Sequence, residues 1–105
     1  MTPHAPAPTL RPTVLVTGAA RRIGRAIALD LARAGFDLAL HYRRSEGQAQ
    51  ALATELRALG ARAECFAADL ADEAACRALV PAVAQRMKRI DAVVNNASHF
   101  AYDDA

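Results

Sequence analysis

Apolar and polar positions follow two alternating periods along the chain, and each change of period marks an element. Thr13-Val14-Leu15-Val16-Thr17 is a short β-branched run stopped by Gly18, the pattern of a strand buried on both faces of a parallel sheet. Ile23, Ile27, Leu31 and Ala34 then recur at helical spacing, and Gly35 stands where a left-handed residue would close the helix. Phe36 to His41 reads as a second strand. Ser45 opens a second helix and forms a capping-box pattern with Gln48, while Leu52, Leu56 and Leu59 share one face and Gly60 is the stop. Residues 62–68 predict a weaker third strand. Asp72 can cap a third helix with Cys76, Leu79, Val80, Val83 and Met87 facing inward, and Pro81 inside that pattern predicts a kink or a division into two pieces. Ile90 to Val94 is a fourth strand, followed by Asn95-Asn96-Ala97-Ser98.

The resulting order, β-α-β-α-β-α-β with short connections and no internal repeat, specifies an α/β fold with a parallel sheet. Right-handed crossovers place helices on both faces, and the doubly wound Rossmann-type order for such a run is 3-2-1-4. At 105 residues, 53% hydrophobic and 23% charged, the chain is one globular unit with a modest core. Residues 1–12 hold four of the five prolines and read as a disordered tail, leaving 13–105 for the fold. No apolar run approaches the ~18 residues of a membrane span, and the N-terminus lacks the pattern of a signal peptide, so a cytoplasmic protein without membrane contact is expected. Cys65 and Cys76 are isolated thiols, consistent with a reducing compartment. His99 has no second ligand nearby, so no metal site is expected.

A net charge of +2 is too small a bias to argue for nucleic acid or anionic lipid. The distribution says more. Twelve of the thirteen basic residues are arginine, and two adjacent pairs, Arg21-Arg22 and Arg43-Arg44, fall between apolar runs, where the guanidinium fork suits phosphate. Ligands of open α/β sheets sit beyond the carboxyl ends of the strands, at the point where strand order reverses. Gly18 to Gly24, His41 to Ser45, Asp69-Leu70 and Asn95 to Phe100 all converge there. The first of these joins strand one to helix one, where unpaired helix amides favour an anion such as pyrophosphate. Gly18 permits the tight turn, and Gly24 permits close packing of helix on strand or close approach of a ligand. The GxxxxGK[ST] pattern of a P-loop is absent. At the end of strand two, where an NAD site places an acid for the ribose hydroxyls, stand His41, Tyr42, Arg43, Arg44 and Ser45. Two guanidinium groups and a hydroxyl there suit a 2′-phosphate, so NADP is the better fit.

These residues resemble the short-chain dehydrogenases/reductases, most closely the pteridine reductases. Thr17 to Arg25 is similar to the family's TGxxxGxG turn, with Arg22 replacing the middle glycine as pteridine reductases commonly have it. His41-Tyr42-Arg43-Arg44-Ser45 looks like the segment that holds the 2′-phosphate, and Asp69-Leu70 like the pair that meets adenine. Asn95-Asn96-Ala97-Ser98 stands where most of the superfamily has NNAG. The resemblance spans about residues 13–102. It implies that Gly18, Arg21, Arg22, Ile23, Gly24, His41 to Ser45, Asp69, Leu70, Asn96, Ala97 and Ser98 bind NADP(H), and that Arg22, Ser98 and Phe100 face a small-molecule substrate such as a pterin. Phe100 would stack on the pterin ring, or else serve as a core aromatic.

The family's catalytic serine and Tyr-x-x-x-Lys pair come from later elements. Tyr42 is followed four residues on by Glu46, and Tyr102 is three residues from the end, so neither heads that motif. The chain therefore reads as the cofactor-binding part of a reductase, expected to be inactive alone, whose full-length form is expected to be a homo-oligomer. A non-catalytic nucleotide-binding module is the alternative, and an arginine-rich RNA-binding domain a weaker third.

Overall fold

A computed structural model describes residues 11–97. Four strands, β1 (Thr13–Val16), β2 (Asp37–Tyr42), β3 (Ala63–Ala67) and β4 (Ala92–Val94), alternate with helices α1 (Arg22–Arg33), α2 (Glu46–Ala58) and α3 (Glu73–Met87). The strands form one parallel sheet of order β3-β2-β1-β4, the expected doubly wound arrangement. β1 lies inside it, with Val14, Leu15 and Val16 at most 3% exposed, so its run of apolar residues serves both faces.

One face packs Val14, Val16, Leu38 and Leu40 against α1 and α2, which contribute Ala28, Ala32, Leu52, Ala53 and Leu56. The other packs Leu15, Ala39 and Phe66 against Leu79, Val83 and Met87 of α3. Burial of each large side chain is worth ~1.5–3 kcal/mol, so these two layers carry the fold. Both of the first two helices end in the expected glycine motif: Gly35 and Gly60 have positive φ, and the Phe36 and Ala61 amides reach back to the Leu31 and Leu56 carbonyls.

Several expectations are corrected. The fully buried stripe of α1 is Gly24, Ala28 and Ala32; Ile27 and Leu31 pack half-buried against the same core, whereas Ile23 is 69% exposed and Ala34 is exposed. Small residues let α1 lie close on the sheet. Helix α3 runs unbroken through Pro81. Pro81 sits on the solvent face, where the Arg77 carbonyl it leaves without a donor can take water instead. Cys76 and Val80 also face outward, leaving Leu79, Val83 and Met87 as the inward row. The capping box at Ser45 does not form, since its side chain makes no cap bond. Of the N-terminal tail, Arg11 and Pro12 belong to the fold: Asp37 receives Arg11 Nε at 2.8 Å, and the Pro12 carbonyl receives the Asp37 amide at 2.8 Å.

The two outer strands differ. Alternate carbonyls of β3 point away from the sheet, and Arg57 takes that of Ala63 while Arg86 takes that of Cys65. Arg86 also pairs with Glu64 and lies over the Phe66 ring, 4.7 Å from its centroid. This edge is guarded by cations, a device that discourages pairing with other strands. On β4, Ala92 and Val93 are exposed and nothing among the described residues covers them. No helix among the described residues is long and apolar enough to cross a membrane.

Candidate cofactor site

At the carboxyl end of the sheet, between β1 and β4, Thr17 organises the turn. Its hydroxyl accepts the Asn96 and Ala97 amides at 2.8 and 3.0 Å and lies 3.0 Å from Asn95 Oδ1. The Asn96 side-chain amide donates to the Gly18 carbonyl at 3.2 Å. Asn96 therefore braces the turn rather than standing free. Thr17, placed in the motif by sequence but given no role, is the residue sequence reasoning missed; a hydroxyl at a strand end opposite an Asn-Asn-Ala segment was the available signal.

Gly18 has φ +63°, and a Cβ there would lie 3.1 Å from Ala97 Cα. Gly24 is more confined, because its Cβ would fall 2.1 Å from the Gly18 carbonyl oxygen and 2.9 Å from Ala19 Cα. Of the two roles open to Gly24 from sequence, the geometry supports packing of helix on turn. The next departure is Arg22, the first residue of α1, with φ +53° where a glycine would sit without strain.

Two adjoining hollows open above this turn. The larger, about 240 Å³, is lined by Gly18, Ala20, Arg21, Tyr42, Arg43, Arg44 and Ser45. The second, about 140 Å³, is bounded by Gly18, His41, Arg43, Ala68, Asp69, Leu70 and Ala97. Arg43 stands between them and pairs with Asp69 at 3.4 Å. Ile23, Gly24 and Arg22 line neither, although Arg22 borders a neighbouring depression with Ala20, Arg21 and Arg25. Ser98 and Phe100 lie outside the described residues.

His41 is 3% exposed, and both ring nitrogens are engaged: Nδ1 with the Gly18 amide at 2.9 Å, Nε2 with the Ala68 carbonyl at 2.8 Å. Burial holds its pKa below the usual histidine value, against the opposing pull of the Ala68 carbonyl. The Tyr42 phenol is pushed up, by desolvation first and then by Glu46 and Cys65, so it stays a hydrogen-bond donor at neutral pH.

The electrostatics of the larger hollow follow from what the arginines do elsewhere. Nine of the twelve are engaged with carboxylates or carbonyls: 11, 25, 33, 43, 57, 62, 77, 86 and 89. Arg21, Arg22 and Arg44 have no such partner among the described residues. All three lie at this end of the sheet. The helix termini repeat the asymmetry, for Asp72 caps α3 through the Ala74 and Ala75 amides while α1 and α2 begin without a side-chain cap. Uncapped amides beside unpaired guanidinium groups make a site for a polyanion. The donor set and the glycine turn fit the pyrophosphate and phosphate of a dinucleotide.

A parallel α/β sheet of order 3-2-1-4 with an anion-binding turn at its switch point defines a Rossmann-type fold. Residues 12–104 match the short chain dehydrogenase family, and the chain belongs to it. It is 41% identical over 85 residues to an L-rhamnose 1-dehydrogenase (NAD(P)(+)) of Sphingomonas sp. strain SKA58, covering 81% of this chain and 34% of that protein. It is 39% identical over 85 residues to the 3-oxoacyl-[acyl-carrier-protein] reductase FabG of Staphylococcus aureus, over 81% and 35% of the two chains. Among solved structures, FolM alternative dihydrofolate reductase 1 from Brucella canis, complexed with NADP, superposes with a TM-score of 0.76 at 43% identity, over 82% of this chain and 34% of that one. The chain thus spans about a third of the length of the relatives it matches.

Proposed function

We propose that this chain is the cofactor-binding portion of an NADP(H)-dependent reductase of the pteridine-reductase type. The observation that carries the reading is that Arg21 and Arg44, which have no partner among the described residues, line the larger hollow, with Arg22 in the neighbouring depression, and that β2 ends in His41-Tyr42 and not in a carboxylate. Arg44, Arg43 and Ser45, whose side chain makes no cap bond, receive the 2′-phosphate. Arg21, Arg22 and the Gly18 turn receive the pyrophosphate, while Asp69 and Leu70 meet adenine in the smaller hollow. Bound there, the nicotinamide supplies hydride for reduction of a C=N or C=O bond. The described residues orient it; the proton donor and the rest of the substrate pocket belong to the longer family members, so the 105 residues bind cofactor without turnover. The likeness to the dihydrofolate reductase FolM and the Arg22 replacement support a pterin over other carbonyl substrates.

Calorimetric titration of the chain with NADP⁺ and NAD⁺ tests this. NADP⁺ binds more tightly, and Arg44→Ala weakens it by about tenfold, near the low end of ~1.5–3 kcal/mol for a charge-assisted contact because Arg44 is exposed, while scarcely changing NAD⁺. Equal losses for both cofactors would remove the 2′-phosphate assignment. Steeply salt-dependent RNA binding without competition by NADP⁺ would favour a nucleic-acid module instead.

A further inference from the structure

His41 ties the two walls of the site together. Its main-chain carbonyl accepts the Ala19 amide at 2.9 Å, its Nδ1 meets the Gly18 amide, and its Nε2 meets Ala68, the neighbour of Asp69. We propose that His41 is a positioning residue that locks the Gly18 turn only as the neutral, Nε2-protonated imidazole, so that protonation of the ring loosens the cofactor site.

The tautomer follows from the partners. An amide can only donate, so Nδ1 must present its lone pair to Gly18; a carbonyl can only accept, so Nε2 must carry the hydrogen toward Ala68. A proton on Nδ1 would set two N–H groups against one another across 2.9 Å. The ring is too buried for water to take over the contact, so the turn must move. Gly18 then carries the change into the rest of the site, because its carbonyl holds Asn96 and it borders both hollows.

Charged groups around the ring do not offset this. Arg43 and Asp69, which border the same hollow, pair with each other, and the Asp72 carboxylate at the start of α3 is turned to the Ala74 and Ala75 amides. Burial favours the neutral ring in the folded chain. The turn is therefore intact above the ordinary histidine range and opens as pH falls through the ring's lowered pKa. A ligand that needs the closed turn loses affinity there, approaching about tenfold per pH unit.

This inference rests on the dinucleotide reading of the site, and the test separates the two. NAD⁺ is titrated calorimetrically into the full 105-residue chain from pH 8 to pH 5, since the 2′-phosphate of NADP⁺ has its own ionisation near ~6. Wild-type affinity is level above about pH 7 and falls as the ring protonates, with a slope approaching about tenfold per pH unit below its lowered pKa. His41→Asn, which offers an oxygen near the place of Nδ1 and does not titrate, gives a level profile. Long-range ¹H–¹⁵N correlation spectra show the Nε2–H tautomer, with the Gly18 amide resonance moving as the ring titrates. An Nδ1–H tautomer, a Gly18 resonance indifferent to that titration, or an Asn variant whose affinity falls as the wild type's does would overturn the proposal. Absence of NAD⁺ and NADP⁺ binding at pH 8 would instead defeat the dinucleotide reading, and the spectra alone would then decide the role of His41.

Discussion

Replacing Arg22 by glycine separates backbone strain from ligand binding, because the two respond with opposite signs. Arg22 holds φ +53° at the start of α1, and an L-residue in this region costs ~1–2 kcal/mol. Glycine removes that cost but gives back ~0.5–1 kcal/mol through the greater freedom of the unfolded chain. The exposed guanidinium has no partner among the described residues, so nothing else is lost from the folded state. A net gain of about 0.5–1 kcal/mol follows, a rise in Tm of about 2–8 °C for a domain of this size. Binding moves the other way. Loss of a cation beside the pyrophosphate removes part of a charge-assisted contact, about 1.4 kcal/mol or tenfold in NADP⁺ affinity once exposure is allowed for. Arg22→Lys separates the two terms, keeping charge and strain together, so it holds most of the affinity and gains no stability. Thermal melts and calorimetric NADP⁺ titrations of the three proteins read both quantities. Raising salt from 50 to 500 mM in the buffer should narrow the gap in affinity, as expected of a screened contact. A glycine variant no more stable than the parent would refute the strain argument, and one binding NADP⁺ equally well would refute the role of Arg22 in anion binding.

Gly24→Ala should destabilise the chain by ~3 kcal/mol or prevent folding, because its Cβ would meet the Gly18 carbonyl oxygen at 2.1 Å; urea denaturation measures the loss. Gly47→Ala is the contrasting case, on the exposed side of α2 with nothing within 4 Å, and should stabilise by ~0.5–1 kcal/mol in the same assay. Thr13→Val should add ~1–2 kcal/mol, since the Thr13 hydroxyl is buried without a hydrogen-bond partner among the described residues; an unchanged or lower urea midpoint would refute this.

The strands and their order were legible because Val14 to Val16 of β1 and Leu38 to Leu40 of β2 are buried on both faces and are apolar. The glycine turn after β1 was legible because glycine and arginine stand where no core residue belongs. Less legible was the seating of α1. Hydrophobic periodicity gives weight to large side chains, but a helix lying against a turn at the contact distance of Gly24 requires small ones, and Ile23 is displaced to the surface. The division of α3 expected at Pro81 is absent for a related reason: the cost of a proline depends on which face of the helix it occupies, and the apolar pattern of α3 admitted more than one face. The Ser45–Gln48 spacing matched a capping box, yet Ser45 borders the larger hollow and its side chain makes no cap bond. His41 was placed in the site by its segment; that both its ring nitrogens are engaged, by the Gly18 amide and the Ala68 carbonyl, was not legible in the sequence.

The two ends of the sheet show what distinguishes a binding surface from a structural one. At the amino ends of the strands, Asp37 is buried and held by Arg11 Nε and the Arg62 amide, each at 2.8 Å, while the Arg11 and Arg62 guanidinium groups reach carbonyls at the ends of α1 and α3. Asp91 holds Arg89 and the Thr13 amide. Cations there answer the negative ends of helix dipoles and two carboxylates, and each of the three arginines is engaged. At the carboxyl ends, α1 and α2 begin without a side-chain cap beside Arg21, Arg22 and Arg44, and although Glu46 and Asp69 lie nearby, none of those three arginines pairs with a carboxylate among the described residues. Like charges gathered this way repel one another and destabilise the folded chain. The same fold neutralises its arginines elsewhere, so their arrangement here is best explained by a polyanion that completes the charge balance when it binds.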